Sequence, residues 1–350
     1  MIKRIGILTS GGDSPGMNAA VVAVARSATK YGIEIMGIKR GYNGLLGLSE
    51  NPEDDIMPLD LETVLDIADQ RGTFLRTARC EEFKDPAVQR QCADNLRELG
   101  IDALVVIGGD GSFTGALKLC NLGIPCVGIP GTIDNDLGYT EATLGYDTAV
   151  NVCVDAVRSV RATSRSHDRP AVVQVMGRNA GDIAIRTAMA TGAEMLIVPE
   201  KEWDIETVAT RLNDLIARGN TRATLVMGEH CFHKMKEFDW RKFLNDNGEV
   251  VYPGEPLTAE RLASILKLKC GGVQVRATVL GYTQRGAQPT AYDSAFAFEA
   301  GHLAVQLLNR GAANQVIGVR HGNVISMPIS DALKMSKHFN NELYDLINTL

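Results

Sequence analysis

The 350-residue chain has an ordinary globular balance, 45% apolar and 22% charged, with a formal net charge of −6. That charge excludes a global pull toward nucleic acid or an anionic membrane, although a local basic pocket would suit a small phosphorylated ligand. No apolar run approaches the roughly 18 residues of a membrane span. The seven scattered cysteines (Cys80, Cys92, Cys120, Cys126, Cys153, Cys231 and Cys270) contain no CxxC and read as free thiols of a cytoplasmic protein.

The N-terminal stretch MIKRIGILTSGGD reads as a first strand over 2–8, not as a signal peptide. Further short β-branched runs fall at 34–38, 103–107, 126–129, 171–175, 195–198, 224–227, 274–280 and 315–319. Helical periodicity lies between them. In 86–99, Val88, Cys92, Leu96 and Leu99 share one face, and in 146–165 Val150, Val154, Val157 and Val160 do the same. Strand alternating with helix predicts an α/β protein with mainly parallel sheets and helices on both faces. No Pro/Ser-rich linker or internal repeat divides the chain, and a break is expected near residue 145, where a long helix begins. The polar stretch 231–257 reads as an insertion or surface excursion.

Polar or glycine-rich clusters follow six of the predicted strands: TSGGDSPG, GGDGS, PGTIDND, MGRNAGD, GEH and GYTQRG. The carboxyl edge of an open parallel sheet is where ligands bind. In the first cluster, Gly11 and Gly12 let backbone N–H groups approach an anion ahead of a helix start. No GK[ST] follows, so it is not a P-loop, and the absence of GxGxxG argues against a dinucleotide-dependent dehydrogenase. In GGDGS, Gly108, Gly109 and Gly111 strip side chains from a loop that phosphates can touch. Asp110 can hold Mg²⁺ there, or the segment is an Asp-Gly turn capped by Ser112. GTFLRTARC presents Arg76 and Arg79, and Arg169, Arg178, Arg276 and Arg285 add forks suited to phosphate. In PGTIDND, Thr132 offers a hydroxyl donor. One of Asp134 and Asp136 could accept a proton from an attacking alcohol while the other orients a metal-bound water, or the pair merely turns the chain.

TSGGDSPGMNA, GGDGS, PGTIDND, MGR, GEH and RATVLGYTQRG, in this order and spacing, resemble the bacterial-type ATP-dependent 6-phosphofructokinase family from Met1 to about residue 320. The resemblance implies two Rossmann-like α/β domains with the active site between them. A larger nucleotide-binding domain would comprise 1–145 plus 284–334, and a smaller sugar-phosphate domain 146–283 plus 335–350. It implies that Asp134 deprotonates the 1-hydroxyl of fructose 6-phosphate and that Thr132, Arg178 and Arg79 assist the transfer. ATP would be held by Gly12, Arg79, Cys80, Gly108, Gly109, Asp110, Gly111 and Ser112, with Mg²⁺ on Asp110 and Asp136. The sugar phosphate would meet Thr132, Ile133, Asp134, Met176, Gly177, Arg178, Glu229, Tyr282, Thr283, Gln284 and Arg285. Arg169 and Arg276 match family arginines that reach over from a neighbouring subunit, which implies a homo-oligomer, a tetramer or a dimer, with shared active sites.

Relatives that use pyrophosphate typically carry Asp at the position of Gly111 and Lys at that of Gly131, so two glycines imply ATP as donor. There are departures from the family pattern. Tyr282 replaces the histidine of GHxQRG. Of the family's basic effector pocket, Arg26, Arg161 and Glu194 are matched. Val22 and Asp55 stand where arginines are usual, and Asn220-Thr221-Arg222 replaces a Lys-rich run, which implies weak or absent control by ADP or phosphoenolpyruvate. A pyrophosphate-dependent enzyme and a non-catalytic sugar-phosphate-binding paralogue are the alternative readings.

Overall fold

A computed structural model describes residues 2–47, 55–236 and 258–349. In chain order the elements begin with β1 (Arg4–Thr9), α1 (Met17–Lys30), β2 (Glu34–Ile38), β3 (Ile56–Pro58), α2 (Leu61–Leu65), α3 (Pro86–Glu98), β4 (Ala103–Gly108), α4 (Asp110–Asn121) and β5 (Cys126–Pro130). They continue with α5 (Tyr146–His167), β6 (Ala171–Val175), α6 (Asp182–Thr191), β7 (Met195–Ile197), α7 (Ile205–Ala217), β8 (Thr224–Gly228), α8 (Ala259–Lys269) and β9 (Arg276–Val279). The last are α9 (Ala291–Asn309), β10 (Gln315–Arg320), β11 (Asn323–Pro328), α10 (Ile329–Ala332) and α11 (Asn341–Ile347).

The chain divides into two compact units, Met1–Ala149 with Arg285–His338, and Val150–Gln284 with Phe339–Leu350. The first holds a seven-stranded sheet in the order β11-β10-β5-β4-β1-β2-β3. Pairing is parallel from β10 to β2 and antiparallel at both edges, where β11 and β3 fold back on their neighbours. Because side chains alternate along a strand, one strand feeds two cores. Ala103, Val105 and Ile107 of β4 pack with Ala20 and Val24 of α1 and Ala297 and Ala300 of α9. Leu104 and Val106 face the other way, onto Cys92 and Leu96 of α3 and Phe113 and Ala116 of α4. This is the two-faced winding expected from the alternation of strand and helix.

The second unit holds a four-stranded sheet, β7-β8-β6-β9, parallel throughout. Val172, Leu225 and Met227 pack with α7 and α8 through Leu212, Leu262 and Leu266, and α6 lies against β7 and β8.

Two strands were not expected from the sequence, β3 and β11. Both are edge strands with mixed exposure, so neither carries a buried run or a clean alternation. On α3 the expected face is carried by Cys92 and Leu96, joined by Ala93. Leu99 is instead 39% exposed, because the helix has already ended at Glu98. The expected excursion 231–257 lies outside the described residues from 237 onward. Its first residues form a short 3-10 turn, Cys231–Lys234, around a buried Cys231.

Candidate active site

In the first unit, β1 lies between β2 and β4, so the strand order reverses beside it. The crevice outside the carboxyl ends of such a pair is the ligand position of open α/β sheets. TSGGDSPG leaves β1 and GGDGS leaves β4. The two loops touch at Gly108, where a Cβ would lie 2.7 Å from the Ser10 carbonyl oxygen. α4 starts at Asp110 behind an N-cap glycine, Gly109, with no side-chain cap. Its first N–H groups are therefore donors for an anion. Ser112 is buried, and its carbonyl accepts from the Tyr42 hydroxyl at 2.5 Å.

The Arg79–Cys80 segment runs beside the first loop. Thr9 Oγ1 donates to the Arg76 carbonyl at 2.7 Å, Gly11 N–H to the Ala78 carbonyl at 3.3 Å, and Thr77 Oγ1 to the Gly11 carbonyl at 3.0 Å. Arg79 is exposed and Cys80 half-buried.

The PGTIDND loop continues β5. Gly131 N–H donates to the Gly108 carbonyl at 2.9 Å, and the Asp134 N–H to Thr132 Oγ1 at 3.2 Å. Asn135 takes a φ of 50°, turning the chain between the two acids. Asp134 is 3% exposed. Arg285 Nη2 stands 3.9 Å from Asp134 Oδ1, and Arg285 Nη1 donates to the Asp13 carbonyl at 2.9 Å. A Cβ at Gly12 would sit 3.0 Å from that guanidinium, so Gly12 makes room for the arginine as well as for an anion. Arg285, expected on the sugar phosphate, thus ties the first loop to Asp134. Ile133 is wholly buried. Its side chain is turned into the interior, so a contact of Ile133 with the substrate falls to its backbone.

Burial and the neighbouring Asp136 carboxylate push the Asp110 carboxyl above its ordinary value. Two acids that oppose each other's charge are a setting a divalent cation relieves. Among the described residues no group of three or more His, Cys, Asp or Glu side chains is placed to hold a metal alone. A pair of carboxylates completed by substrate phosphates is the usual Mg²⁺ arrangement, so the residues present fit that ion.

A residue missed from the sequence stands behind these loops. Asp293, 0% exposed, accepts from Gly145 N–H at 2.9 Å, Thr148 N–H at 2.9 Å and Thr148 Oγ1 at 2.5 Å. Ser14 Oγ donates to the Leu144 carbonyl, and Thr143 Oγ1 to the Thr132 carbonyl at 2.5 Å. The segment that Asp293 anchors therefore supports both the TSGGDSPG and PGTIDND loops. Its local signal was only Thr290 three residues ahead, an N-cap whose hydroxyl takes the Asp293 N–H. Burial pushes the Asp293 carboxyl up to about 6 against the pull of its donors. A carboxyl raised on folding contributes stability at low pH that is lost as pH climbs from roughly 4 to the folded value. The melting-temperature advantage of the native protein over Asp293→Asn should therefore shrink between about pH 4 and about pH 6 and then level off. A difference constant across that range would refute the assignment.

In the second unit, three side chains pin the loop after β6 by its N–H groups. Met176 N–H donates to Gln284 Oε1 at 3.1 Å, Arg178 N–H to Glu229 Oε1 at 2.7 Å, and Gly181 N–H to Glu200 Oε1 at 2.7 Å. Arg178 itself is exposed, with a φ of 51°. Gln174, Met176, Glu229, Gly281 and Tyr282 line a cavity of about 110 Å³. Tyr282 is 84% exposed at that place, and Thr283 Oγ1 donates to the Leu280 carbonyl at 2.6 Å. Gln284 is 0% exposed; its Oε1 accepts from the Met176 N–H and the Cys153 thiol, and its Nε2 donates to the Gly281 carbonyl. The side chain of Gln284, expected at the sugar phosphate, is thus turned into the interior of the second unit.

Arg169 and Arg276 line a different cavity of about 500 Å³, with Ser159, Thr163 and His167. A third, of about 370 Å³, is lined by Arg161, Arg165, Glu194, Arg218, Asn220 and Arg222. Burial opposes the charge of Glu194, but Arg161 Nη1 at 2.9 Å, Thr224 N–H and Asn220 outweigh it and hold the carboxyl below its ordinary value. In the first unit, Val22 is buried in the core and Asp55 is paired with Arg40. Arg26 is exposed, over the ring of Phe298.

The phosphofructokinase family model matches residues 4–308. The chain is 42% identical over 349 residues to an ATP-dependent 6-phosphofructokinase of Clostridium botulinum, covering 100% of this chain and 99% of that one. It is 44% identical, with the same coverage, to one of Clostridioides difficile. The Pichia pastoris phosphofructokinase in the T-state superposes with a TM-score of 0.82 at 28% identity, over 95% of this chain and 38% of that one. The chain thus spans less than half of that longer polypeptide. A pyrophosphate-dependent phosphofructokinase of Marinobacter aquaeolei, 21% identical, shares the fold with a TM-score of 0.79 over 97% of this chain and 86% of that one.

Proposed function

The chain belongs to the phosphofructokinase family, and from that premise we infer that it transfers the γ-phosphoryl of ATP to the 1-hydroxyl of fructose 6-phosphate. The products are fructose 1,6-bisphosphate and ADP, a step of glycolysis. The observation that carries this reading is full-length identity of 42–44% to enzymes of that name. Phosphoryl transfer asks for an in-line alcohol and neutralised phosphate charge, with little covalent chemistry by the protein.

The residues divide those tasks. Asp134, buried beside Arg285, accepts the proton of the 1-hydroxyl. Gly12, Arg79, Cys80 and the N-terminus of α4, with Gly108, Gly109, Gly111 and Ser112, hold the nucleotide. Thr132 and Arg178 meet the transferring group. Met176, Gly177, Glu229, Tyr282 and Thr283 position the sugar phosphate. Asp110 and Asp136 would hold Mg²⁺, which would supply positive charge to the phosphate oxygens. Arg169 and Arg276 share a cavity distinct from the one lined by Met176, Glu229 and Tyr282. That separation supports a homo-oligomer in which they serve a neighbouring subunit's site. Seven free thiols support a reducing cytoplasm.

The test is a coupled assay of the purified protein with fructose 6-phosphate, Mg²⁺ and either ATP or pyrophosphate. Turnover with ATP alone is the expected result, and turnover with pyrophosphate alone would overturn the donor assignment. Control by ADP or phosphoenolpyruvate should be weak, since Val22 is committed to the core and Asp55 to Arg40. Either effector is expected to move the half-saturating fructose 6-phosphate concentration by less than the roughly fivefold that begins ordinary coupling. A larger shift in the saturation curve would reject this.

A further inference from the structure

Gln284 lies in the GYTQRG motif, yet its side chain is sealed inside the second unit. Its Oε1 accepts from two donors, the Met176 N–H at 3.1 Å and the Cys153 thiol at 3.0 Å. Its Nε2 donates to the Gly281 carbonyl at 3.2 Å. Met176 opens the MGR loop, Gly281 opens the turn that carries Tyr282, and Cys153 is a buried residue of α5. One amide therefore joins two loops that line the same cavity, and a third element, α5, adds the Cys153 thiol to the same oxygen.

We propose that Gln284 and Cys153 form a positioning pair: the Cys153 thiol orients the Gln284 amide, which locks the Met176–Arg178 loop to the Gly281–Thr283 turn at the sugar-phosphate site. The pair touches no substrate. The orientation follows from the donor set. Rotating the amide by half a turn would set its NH₂ group against the Met176 N–H and its oxygen against the Gly281 carbonyl, losing both backbone bonds. Burial pushes the Cys153 thiol up to about 12, so it keeps its proton and acts as a donor over the whole working range. The Met176 N–H, on a half-buried residue, has Gln284 Oε1 as its acceptor, and a donor shielded from water that loses its acceptor carries a desolvation penalty.

The inference rests on the proposed reaction, so the native protein is assayed first. Turnover of fructose 6-phosphate by it establishes that reading whatever the variants do. Gln284→Met keeps volume and removes the bonds. It should raise KM for fructose 6-phosphate about tenfold, the low end of the effect of orphaning a donor shielded from water, and leave KM for ATP unchanged. Cys153→Ala should raise the same KM by a smaller factor, and Cys153→Ser, which restores a donor, should recover it. In the double variant Cys153→Ala should add nothing to Gln284→Met, because its effect passes through the amide.

Gln284→Glu supplies a pH readout taken relative to the native protein at each pH. A protonated carboxyl mimics the amide, accepting with one oxygen and donating with the other. An ionised one sets a carboxylate oxygen against the Gly281 carbonyl, and burial favours the protonated form. Its KM for fructose 6-phosphate should approach the native value at low pH and climb as pH rises. The proposal is overturned if Gln284→Met leaves that KM unchanged, if KM for ATP rises equally, if the two single effects add in full, or if the Gln284→Glu profile parallels the native one. Should Gln284→Met fail to fold, the contrast between Cys153→Ala and Cys153→Ser decides the matter alone.

Discussion

Asp134→Asn is expected to lower kcat by about 10²–10⁴ with KM for both substrates nearly unchanged, the usual worth of a positioned general base. The substitution keeps the shape of the side chain and removes its ability to take a proton. Asp134 is placed by its own backbone, whose N–H donates to Thr132 Oγ1, so an amide there should not move the loop. The Arg285 guanidinium at 3.9 Å offsets the cost of holding a carboxylate in so buried a position. Steady-state kinetics with both substrates would detect the fall in kcat, while a thermal melt shows whether the fold is intact. A loss below tenfold in a folded variant would mean that another group takes the proton.

Gly111→Asp is the second large effect, and it separates stability from activity. A Cβ at Gly111 would meet no heavy atom within 4 Å. The position lies in the first turn of α4, where a carboxylate interacts favourably with the helix dipole. Thermal stability should therefore be unchanged or slightly raised. Activity with ATP should fall, because the added charge stands on the end of the helix assigned to nucleotide phosphates. Like charges brought together at a binding surface cost several kcal/mol, so kcat/KM for ATP should drop by about a hundredfold or more. Gly131 behaves differently. A Cβ there would lie 2.9 Å from Ile107 Cγ2 and from Met17 Cε, so Gly131→Lys must displace core side chains before it can alter donor choice. Full ATP activity in a stable Gly111→Asp protein would remove the GGDGS loop from the nucleotide site.

Much of this molecule was legible in local sequence. The strands that carry the site are short runs of β-branched and small residues, and each hands over to a loop rich in glycine and acid. Parallel strands flanked by helices put those loops at one edge of each sheet, so the order of TSGGDSPG, GGDGS and PGTIDND along the chain was enough to place Asp110 and Asp134 at strand ends. The edge strands β3 and β11 were not legible, because β3 is only three residues long and neither strand has a fully buried position to mark a core face.

The sequence by itself therefore determined the family, the winding of the sheets and the chemistry-bearing loops, since each is written within a few consecutive residues. Only the tertiary structure decided which of those residues face a ligand and which hold the others in place. Gln284 belongs to a binding motif but is sealed inside, bonded to Cys153 across 131 positions of chain. Asp293 reaches Gly145 across 148. Arg285, far along the chain from the first loop, closes on Asp13 and Asp134. Such pairings leave no periodicity and no motif, because a hydrogen bond between distant residues depends on where the folded chain brings them and not on what stands beside them in sequence.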